Sequence, residues 1–502
     1  MTGIKKFFTL FILLLGLLIV YKLLTQGYLL LGLVATCLWA LTTVIFLIKG
    51  AFPYRFMYPG LLTFFLFMVI PILFTIYISF TNLGTGHLLN LARVQEILLS
   101  EKHTLENTPS YNFYLYPQTN DLYLIHVYNE DEHEHYLGQF DINKENKSVN
   151  LKPVPRPEFV NPPLTRGDVF KNFDSLNSID FLVPDRPSVK IASTNYMASI
   201  VNRYEVKEND KILDTITQTL YWPDFTSGYY TDGKENIAPG FYVNVGFSNF
   251  LKLFTNKSMK KPFAKVITWT MLWSCCSVLL TFCLGIFLAL FVNSKYFKGK
   301  FIYRILIIIP YSIPFFISVL IFKGLYNKDY GIINDIVAYF FNYKIDWLGN
   351  ALWAKISCLL VNLWLGFPYM FLITTGILQS IPNSVYEAAA MDGAGKFLTF
   401  RKITLPLVMS AVAPLLVGSF AFNLNNFVGI YLLTAGGPPM MEASTPVGET
   451  DILISYTYRL AFEGGRGQDF GMASAIALII FIIIAILTLI NFKLSGMLND
   501  KR

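Results

Sequence analysis

Two apolar stretches of the chain carry small or neutral polar residues at helical spacing. Each stretch has three of them at i, i+4 and i+7, which places all three on one face of an α-helix. They are Asn362, Gly366 and Tyr369 in "VNLWLGFPYMF", and Ser419, Asn423 and Asn426 in "SFAFNLNNFV". Amide and hydroxyl groups can hydrogen-bond a polyhydroxylated ligand without any net charge. The spacing therefore predicts two neutral stripes that could bind a sugar.

Aromatic and proline residues accompany these stripes. The rings of Tyr311, Tyr369 and Phe422 could stack on a sugar, and Pro310 and Pro314 can bend the helix that carries Tyr311. An ion or amino-acid pathway would more typically show buried carboxylates or basic residues. A second interpretation stays open, because small and amide side chains also form hydrogen bonds between membrane helices.

A different chemistry is suggested by the polar stretch "EAAAMDGAGKFLTFRKITLPL", residues 387–407, whose Gly-Ala-Gly-Lys resembles a phosphate-binding loop. That loop requires G-x-x-x-x-G-K-[ST] after a buried strand. Ala390 stands where the first glycine should be, and Phe397 replaces the hydroxyl residue that would reach magnesium. The motif therefore argues against nucleotide binding by this chain.

The same stretch has the pattern of a helix, a turn and a second helix. Ser384 and Glu387 fit an S-x-x-E capping box, and a run of alanines follows. Gly393 and Gly395 are predicted to stop this helix, and a second helix can start near Lys396 and enter the membrane. A short helix outside the bilayer can dock in a groove of another protein. A purely structural turn is the alternative.

Metal and enzyme chemistry find little support. All five histidines fall between residues 82 and 262, and His133 and His135 in "DEHEHYL" would lie on one face of a strand. Their acidic neighbours favour a solvated turn, so no metal site is expected. The five cysteines lie in apolar stretches, without disulfide or zinc-ligand spacing. No Ser-His-Asp set or dinucleotide-binding fingerprint stands out, and the chain is not expected to be an enzyme.

The elements that position the polar stripes are membrane helices. Hydrophobic residues make up 54% of the 502 residues. Charged residues make up 15%, against roughly 25% in a soluble protein. About 20 apolar residues cross a bilayer. Eight stretches qualify or nearly so: 7–24, 28–48, 57–80, 266–293, 302–322, 354–380, 406–430 and 471–492.

Basic residues set the orientation of these spans. If the N-terminus is cytoplasmic, every short cytoplasmic segment carries Lys or Arg, in agreement with the positive-inside rule. These residues are Lys5, Lys6, Lys49, Arg55, Lys295, Lys298, Lys300, Lys396, Arg401, Lys402, Lys493, Lys501 and Arg502. The net charge of +7 therefore indicates topology and not nucleic-acid binding. The first apolar run has no clear cleavage site before Lys22, so we expect a retained helical hairpin.

The order of the spans divides the chain into segments. We predict a helical hairpin at 1–56, a third span at 57–81, an outside domain at 82–262 and a core of five spans at 263–502. The outside domain should be mainly β, with strands near 111–117 and 121–129 and a helix near 91–99. The core has a last outside loop at 434–470, whose segment 450–462 should lie along the membrane interface.

The stretch that begins at residue 387 resembles the EAA signature of ABC-importer permeases, E-A-A-x3-G-x9-I-x-L-P. The matching residues are Glu387, Ala388, Ala389, Gly393, Ile403, Leu405 and Pro406. The similarity extends over nearly the whole chain to the family of membrane subunits of maltose/maltodextrin importers. It includes the stretches "PYSIPFFISVLIFKGLYN", "NLWLGFPYMFL", "SFAFNLNNFV" and "YTYRLAFEGGRGQDFG".

The resemblance implies an all-α polytopic membrane protein with eight transmembrane helices and the ABC type I importer permease fold. It also implies a mainly β, immunoglobulin-like periplasmic domain inserted after the third span. The loop 381–406 would be a coupling loop that docks on an ATPase subunit. The residues that would make this contact are Glu387, Ala388, Ala389, Met391, Asp392 and Gly393.

The resemblance further implies a set of partners and a transport cycle. The partners would be a MalG-like second permease subunit, two MalK-like ATPase subunits and a periplasmic maltose-binding protein. ATP and magnesium would be bound by the ATPase, and this chain would bind no cofactor. The chain would form half of a pathway in the bacterial inner membrane, with both termini cytoplasmic, and would import maltose or maltodextrin by alternating access.

The same resemblance implies which residues bind the sugar. They are Tyr311, Asn362, Leu365, Gly366, Tyr369, Ser419, Phe422, Asn423 and Asn426. Phe315 departs from the family, in which a small serine is expected, and could change the preferred oligosaccharide length. An ABC permease for another neutral sugar such as trehalose is an alternative. A secondary sugar transporter would typically show internal repeats and carboxylates in its spans, and neither is evident here. A membrane glycosyltransferase would need acidic ligands for a metal or a nucleotide sugar near the membrane.

Overall fold

The structure is a computed structural model of the 502-residue chain. The residues that it describes are 2–25, 29–47, 50, 52–105, 108–118, 122–129, 132–141, 148–159, 162–294, 298–463 and 467–494. The chain forms two compact units. The first combines Met1–Thr81 with Gly246–Arg502, and the second is Asn82–Val245.

Helices dominate the described residues. In chain order they are α1 (Thr2–Thr25), α2 (Leu29–Leu47), α3 (Tyr54–Phe64), α4 (Ile70–Ser79), α5 (Leu91–Ser100), α6 (Arg166–Lys171), α7 (Phe173–Asn177), α8 (Ser248–Thr255), α9 (Lys257–Asn293), α10 (Lys300–Ser312), α11 (Phe315–Leu325), α12 (Ile332–Phe341), α13 (Ala351–Ser380), α14 (Asn383–Met391), α15 (Lys396–Thr399), α16 (Leu405–Leu424), α17 (Phe427–Thr434), α18 (Leu453–Phe462) and α19 (Phe470–Leu494). Two π-helical segments, Phe65–Val69 and Phe400–Thr404, join α3 to α4 and α15 to α16.

Five helices in the described part of the chain are long and apolar enough to cross a membrane. They are Tyr54–Ser79, Lys257–Asn293, Ala351–Ser380, Lys396–Leu424 and Phe470–Ile490. A sixth span results if α10 and α11 are counted as one bent span. The two predicted N-terminal spans correspond to α1 and α2, which meet where the Trp39 indole donates a hydrogen bond to the carbonyl of Leu13 at 2.8 Å.

Close packing of two long helices builds the centre of the first unit. Gly285 of α9 lies against Met370 of α13, and a Cβ at position 285 would come within 2.6 Å of the Met370 side chain. Four residues earlier on both helices, Thr281 lies against Gly366. The two helices therefore run in parallel, and small residues let their backbones approach closely, as is common between membrane helices.

Two of the predicted spans are interrupted beside this pair. The stretch predicted as one span at 302–322 bends by 89° between α10 and α11. Pro314 immediately precedes α11, and Ile313 before it is extended, because the residue that precedes a proline avoids helical geometry. The predicted bend near Pro310 and Pro314 is confirmed. The stretch predicted at 406–430 is also not continuous, since α16 ends at Leu424 and α17 begins at Phe427.

The second unit is rich in β-strands, as predicted. The strands are β1 (Lys102–Thr104), β2 (Tyr111–Pro117), β3 (Leu122–Asn129), β4 (Glu134–Asp141), β5 (Ser148–Asn150), β6 (Lys152–Pro153), β7 (Asp180–Leu182), β8 (Lys190–Ile191), β9 (Tyr196–Ala198), β10 (Ile200–Asn202), β11 (Tyr204–Val206), β12 (Ile212–Asp214), β13 (Leu220–Asp224), β14 (Tyr229–Thr231) and β15 (Asn236–Ile237).

The predicted strands and helix of this unit occur close to their expected places. β2 and β3 form the antiparallel centre of a six-stranded sheet in the order β6-β4-β3-β2-β9-β8. A second sheet has the order β11-β12-β13-β14-β15. The predicted helix is α5, and Asn90 caps it by accepting a hydrogen bond from the backbone N–H of Arg93 at 2.8 Å.

The segment 450–462 packs closely against the rest of the first unit. Its helix, α18, buries Leu453, Ser455 and Tyr456 in the first unit, where they are at most 1% exposed. Its place along the membrane interface stays a prediction, because a helix that packs on protein with one face can still lie at that boundary.

Candidate functional site

A cavity of about 620 Å³ opens where the break between α10 and α11 meets α13 and α16. Eight of the nine residues predicted to bind sugar line it: Tyr311, Asn362, Leu365, Gly366, Tyr369, Ser419, Phe422 and Asn423. Phe315, which departs from the family pattern, lines it as well. The structure thus brings these side chains together around one space, and their role in binding stays a prediction.

Three asparagines at the cavity form a relay of hydrogen bonds. The Asn426 amide donates to the Asn362 Oδ1 at 3.2 Å, and the Asn362 amide donates to the Asn423 Oδ1 at 3.0 Å. The Asn423 amide in turn donates to the carbonyl of Ser419 at 2.8 Å. All three asparagines are buried. Each amide nitrogen carries two hydrogens, so Asn362 and Asn423 retain capacity for a ligand.

Asn426 is not on the helical face that the spacing predicted. It follows the end of α16 and caps α17, where its Oδ1 accepts a hydrogen bond from the Gly429 backbone N–H at 3.1 Å. An asparagine can satisfy a helix N-terminus better than it can extend the preceding helix. Asn426 therefore lies outside the cavity lining and supports it through Asn362.

Other lining residues escaped the sequence reasoning. Thr281 reaches the cavity from α9, and Pro414 and Gly418 reach it from α16. Pro414, Gly418 and Phe422 follow one another at intervals of four residues, so their common helical face could have been read from the sequence. The sequence did not indicate that Thr281 lines the cavity, because Thr281 reaches it only through the close packing of α9 against Gly366 of α13.

The cavity is neutral and partly aromatic. Its described lining contains no Asp, Glu, Lys, Arg or His. Tyr311, Tyr369 and Phe422 keep 57%, 36% and 65% of their surfaces exposed, so their rings remain available for contact. Amides, hydroxyls and rings without charge can hold a polyhydroxylated molecule by hydrogen bonds and stacking, but they offer neither a nucleophile nor a general base.

The segment that follows α13 forms the predicted helix, turn and helix. α14 ends in a Schellman arrangement, in which the Gly393 N–H donates to the Ala390 carbonyl at 3.1 Å and the Ala394 N–H donates to the Ala389 carbonyl at 2.9 Å. Gly393 has φ +75°, a conformation that favours glycine. The second helix begins at Lys396, as predicted.

The predicted capping box is wrong. α14 begins at Asn383 with Pro382 before it, and no side chain caps its N-terminus. Ser384 is therefore already inside the first turn, where its side chain cannot accept the capping hydrogen bond. Pro382 sets the start of the helix instead, because the residue before the first turn needs no free backbone N–H.

One face of α14 is anchored to the rest of the first unit, and most residues of its other faces are exposed. Ala389 is buried, and the Thr404 hydroxyl donates to the Tyr386 hydroxyl at 3.3 Å. The other predicted coupling residues are exposed: Glu387, Ala388, Met391, Asp392 and Gly393. Met391 is 88% exposed.

The stretch with His133 and His135 is a turn followed by a strand, as its acidic neighbours suggested, and the two histidines do not share a strand face. His133 lies in the turn before β4 with φ +54°, and His135 pairs with His126 of β3 at 3.2 Å between their ring nitrogens. Burial, together with the nearby His135 and Arg156, lowers the pKa of His126 to about 4. The described residues contain no group of three or more potential metal ligands.

Three acidic residues in the described part of the loop at 434–470 have basic partners: Glu449, Asp451 and Glu463, the last of which lies 3.4 Å from Arg459. The Glu449 carboxylate lies 2.9 Å from the Lys355 ammonium and 3.5 Å from that of Lys265. Burial opposes ionisation of Glu449, but these two lysines outweigh it and lower its pKa. Asp451 is fully buried and lies 2.9 Å from the Arg459 guanidinium.

Further donors complete the surroundings of Asp451. It accepts hydrogen bonds from the Ser455 hydroxyl and the Gly448 N–H, each at 2.7 Å. Burial nevertheless raises its pKa above the ordinary value, against the effect of these donors and of Arg459. The five cysteines are free.

Family models match both units. Residues 281–496 match the "Binding-protein-dependent transport system inner membrane component", and residues 89–246 match the "Maltose transport system permease protein MalF P2 domain". The first unit thus has the type I ABC permease fold, and the chain is a multi-pass protein of the inner membrane. A crystal structure of a bacterial alginate ABC transporter is 25% identical over 51% of this chain and 84% of that chain, with a TM-score of 0.43.

Curated relatives match along almost the whole length. The "Maltose/maltodextrin transport system permease protein MalF" of Salmonella typhi is 39% identical over 501 residues, which cover 97% of this chain and 96% of the relative. The protein of the same name from Escherichia coli K12 is 37% identical, with coverage of 97% and 96%. These relatives are transport permeases and not enzymes. The chain belongs to the MalF family of maltose/maltodextrin transport system permease proteins.

Proposed function

We propose that the chain is the membrane-spanning subunit of an ATP-driven sugar importer, which forms half of the pathway and binds maltose or maltodextrin on the way from periplasm to cytoplasm. The observation that carries this proposal is the neutral cavity between α10, α11, α13 and α16 in a member of the MalF family. A sugar offers many hydroxyls and no charge, which matches the asparagine relay and the exposed rings.

The partners follow from the same family. A MalG-like permease would complete the pathway, two MalK-like subunits would bind ATP and magnesium, and a periplasmic maltose-binding protein would deliver the sugar. The exposed face of α14, with Glu387, Met391 and Asp392, supports a docking role toward the ATPase. Closure of the ATPase dimer would move α14 and switch the cavity from inward-open to outward-open. This chain itself would bind no cofactor.

The topology is part of the proposal. We infer eight transmembrane helices, with α1, α2 and the bent pair α10–α11 added to the five long apolar helices. Both termini would be cytoplasmic and the β-rich domain, immunoglobulin-like in this family, would be periplasmic. The segment boundaries given from the sequence, at residues 56, 81 and 262, belong to this proposal.

Sugar-stimulated ATP hydrolysis by the reconstituted complex tests the function. We expect maltose and maltodextrins, presented by the binding protein, to stimulate hydrolysis severalfold over the basal rate. If trehalose stimulates and maltose does not, the substrate is wrong although the transporter class is right. If no ATPase subunit associates with the chain, a secondary sugar transporter becomes the better description.

Changes on α14 test the coupling role separately. Glu387→Lys reverses a charge on the exposed face and should reduce copurification of the ATPase subunits. Gly393→Val should also reduce copurification of the ATPase subunits, because a residue with a side chain is strained at φ +75° and would distort the turn after α14. A matched control is Lys234→Glu, an exposed charge reversal in the second unit, which should leave the association unchanged. Unchanged association in both coupling variants would contradict the assignment.

A further inference from the structure

A row of lysines lies where α8 ends and α9 begins. The row consists of Lys252, Lys257, Lys260, Lys261 and Lys265, all exposed. Lys265 pairs with Glu449 at 3.5 Å, and the other four take part in no ion pair within the described residues. Lys298 and Lys300 lie beyond the opposite end of α9, where the positive-inside rule explains them. That rule does not explain a row at the first end.

The short helix before this row exposes an apolar face. Phe247, immediately before α8, and Leu251 and Phe254 within it stand at i, i+4 and i+7, so they lie on one side of the helix. Their side chains are 68%, 59% and 53% exposed. The opposite face of α8 is buried through Leu253 and Asn249.

Hydrogen bonds fix this orientation. The Asn249 amide donates to the carbonyls of Ser79 and Thr81, at 3.0 Å and 2.8 Å, where the helix Tyr54–Ser79 ends. Both bonds are buried, so rotating α8 about its axis would break them and leave the buried Asn249 amide without these two acceptors. The apolar face is therefore held outward and is not a mobile surface.

The apolar face of α8 and the row of lysines both lie at the boundary of the bilayer, where one lipid molecule could contact both. α9 has 37 residues and is apolar enough to cross a membrane, so its first turns lie at one boundary of the hydrocarbon region. A helix with an exposed apolar face beside lysines is typical of an element that lies in the interface. Lys257, Lys260 and Lys261 stand at i, i+3 and i+4, which places three ammonium groups side by side.

We propose that α8 and the first turns of α9 form a binding site for anionic phospholipid in the leaflet where α9 begins. The Phe247, Leu251 and Phe254 face packs on the acyl chains. The ammonium groups of Lys257, Lys260 and Lys261 bind the headgroup phosphate. Phosphate complements this row because none of these three lysines forms an ion pair within the described residues, although Lys261 lines a shared hollow with Glu442 and Glu449.

Native mass spectrometry of the full-length chain in detergent, with an equal mixture of phosphatidylglycerol and phosphatidylcholine, tests the site. The wild type should retain phosphatidylglycerol in preference. A lysine beside an anionic surface contributes roughly fivefold in affinity, so K257Q/K260Q/K261Q should weaken phosphatidylglycerol binding by about 100-fold at low salt. Binding of phosphatidylcholine should not change, and added salt should shrink the difference.

A matched variant controls for the loss of charge. K102Q/K152Q/K234Q removes the same charge from three exposed lysines of the second unit and should keep the preference. L251Q/F254Q should weaken both lipids alike, because it removes apolar contact and leaves the lysines in place.

Three outcomes would overturn the proposal. The first is an unchanged lipid preference in K257Q/K260Q/K261Q. The second is displacement of phosphatidylglycerol by soluble glycerol phosphate, which would make the row a site for free phosphate groups. The third is a wild type without lipid preference whose triple variant loses a protein partner, which would make the row a protein-docking surface.

Discussion

The cavity and the loop at 434–470 bury polar groups in opposite ways. At the cavity, neutral amides on different helices bind one another and keep donors for a further molecule. In the loop, the Asp451 carboxylate is closed in by Arg459, Ser455 and the Gly448 N–H. A neutral amide can exchange one partner for another at small cost, whereas a buried charge that loses its partner is left with its desolvation penalty. The first arrangement suits binding, and the second holds a loop in shape.

Removing the buried carboxylate should have the largest effect on stability. Asp451→Ala leaves the largely buried guanidinium of Arg459 with the partly exposed Glu463, 3.4 Å away, in place of its fully buried partner. Breaking a buried pair in this way costs about 3 to 5 kcal/mol. We therefore expect a large drop in the thermal unfolding midpoint of the purified protein.

A second acidic residue of the same loop controls for this change. Glu442 is exposed and forms no ion pair within the described residues, so Glu442→Ala should leave the midpoint near that of the wild type. Equal midpoints for the Asp451 and Glu442 variants would mean that the buried pair does not hold the loop.

Opening the asparagine relay should affect binding more than stability. Asn362→Ala removes the amide that bridges Asn423 and Asn426, and hydrogen bonds between membrane helices contribute only about 1 kcal/mol each. A bound sugar would lose the Asn362 amide as a hydrogen-bond donor, and Asn423 would lose the contact that orients it. The apparent affinity for sugar in the reconstituted complex should therefore fall by about tenfold or more.

Ser274 offers a matched control on the neighbouring helix. It is fully buried in α9, and its hydroxyl has no partner within the described residues. Ser274→Ala should leave both sugar affinity and stability close to the wild type. Equal sugar affinity in the Asn362 and Ser274 variants would contradict the role of the relay.

The difference between the two regions also explains how much the sequence could predict. The polar stripes on α13 and α16 could be read from spacing, because a continuous helix fixes which residues share a face. Asn426 was misplaced because the chain leaves helical geometry at Asn425, which no periodicity records. The bend at Pro314 was predictable because proline restricts the residue before it.

Contacts between segments that are distant along the chain could not be predicted from the sequence. The buried pair of Asp451 and Arg459 looks from the sequence like two charges in a polar loop. Its burial depends on α18 packing into the first unit. Similarly, the partner of His135 is His126 on the neighbouring strand, and only the register of β3 and β4 brings them together.

Phe315 allows the shape of the cavity to be tested with a smaller expected effect. Phe315→Ser removes a ring from the lining and adds a hydroxyl, so the ranking of maltose through maltoheptaose should change by about threefold to tenfold. Sugar-stimulated ATPase or uptake measures the ranking. The adjacent Phe316 does not line the cavity, and Phe316→Ser should preserve the wild-type ranking. An unchanged ranking in the Phe315 variant would remove its role in selecting sugar length.

The smallest effect on stability should come from Glu449, the ion-paired residue of the loop that is only partly buried. Lys355 and Lys265 lower the pKa of Glu449 in the folded protein, so its ionised form favours the fold. Its contribution is complete above the ordinary pKa of 4.5 and is lost as the pH falls through the lowered value. Glu449→Gln should cost about 1 kcal/mol at neutral pH, because a partly exposed pair is worth little. Unfolding midpoints across an acid pH series should therefore converge for wild type and variant, whereas a constant gap would show that the glutamate acts through packing and not through its charge.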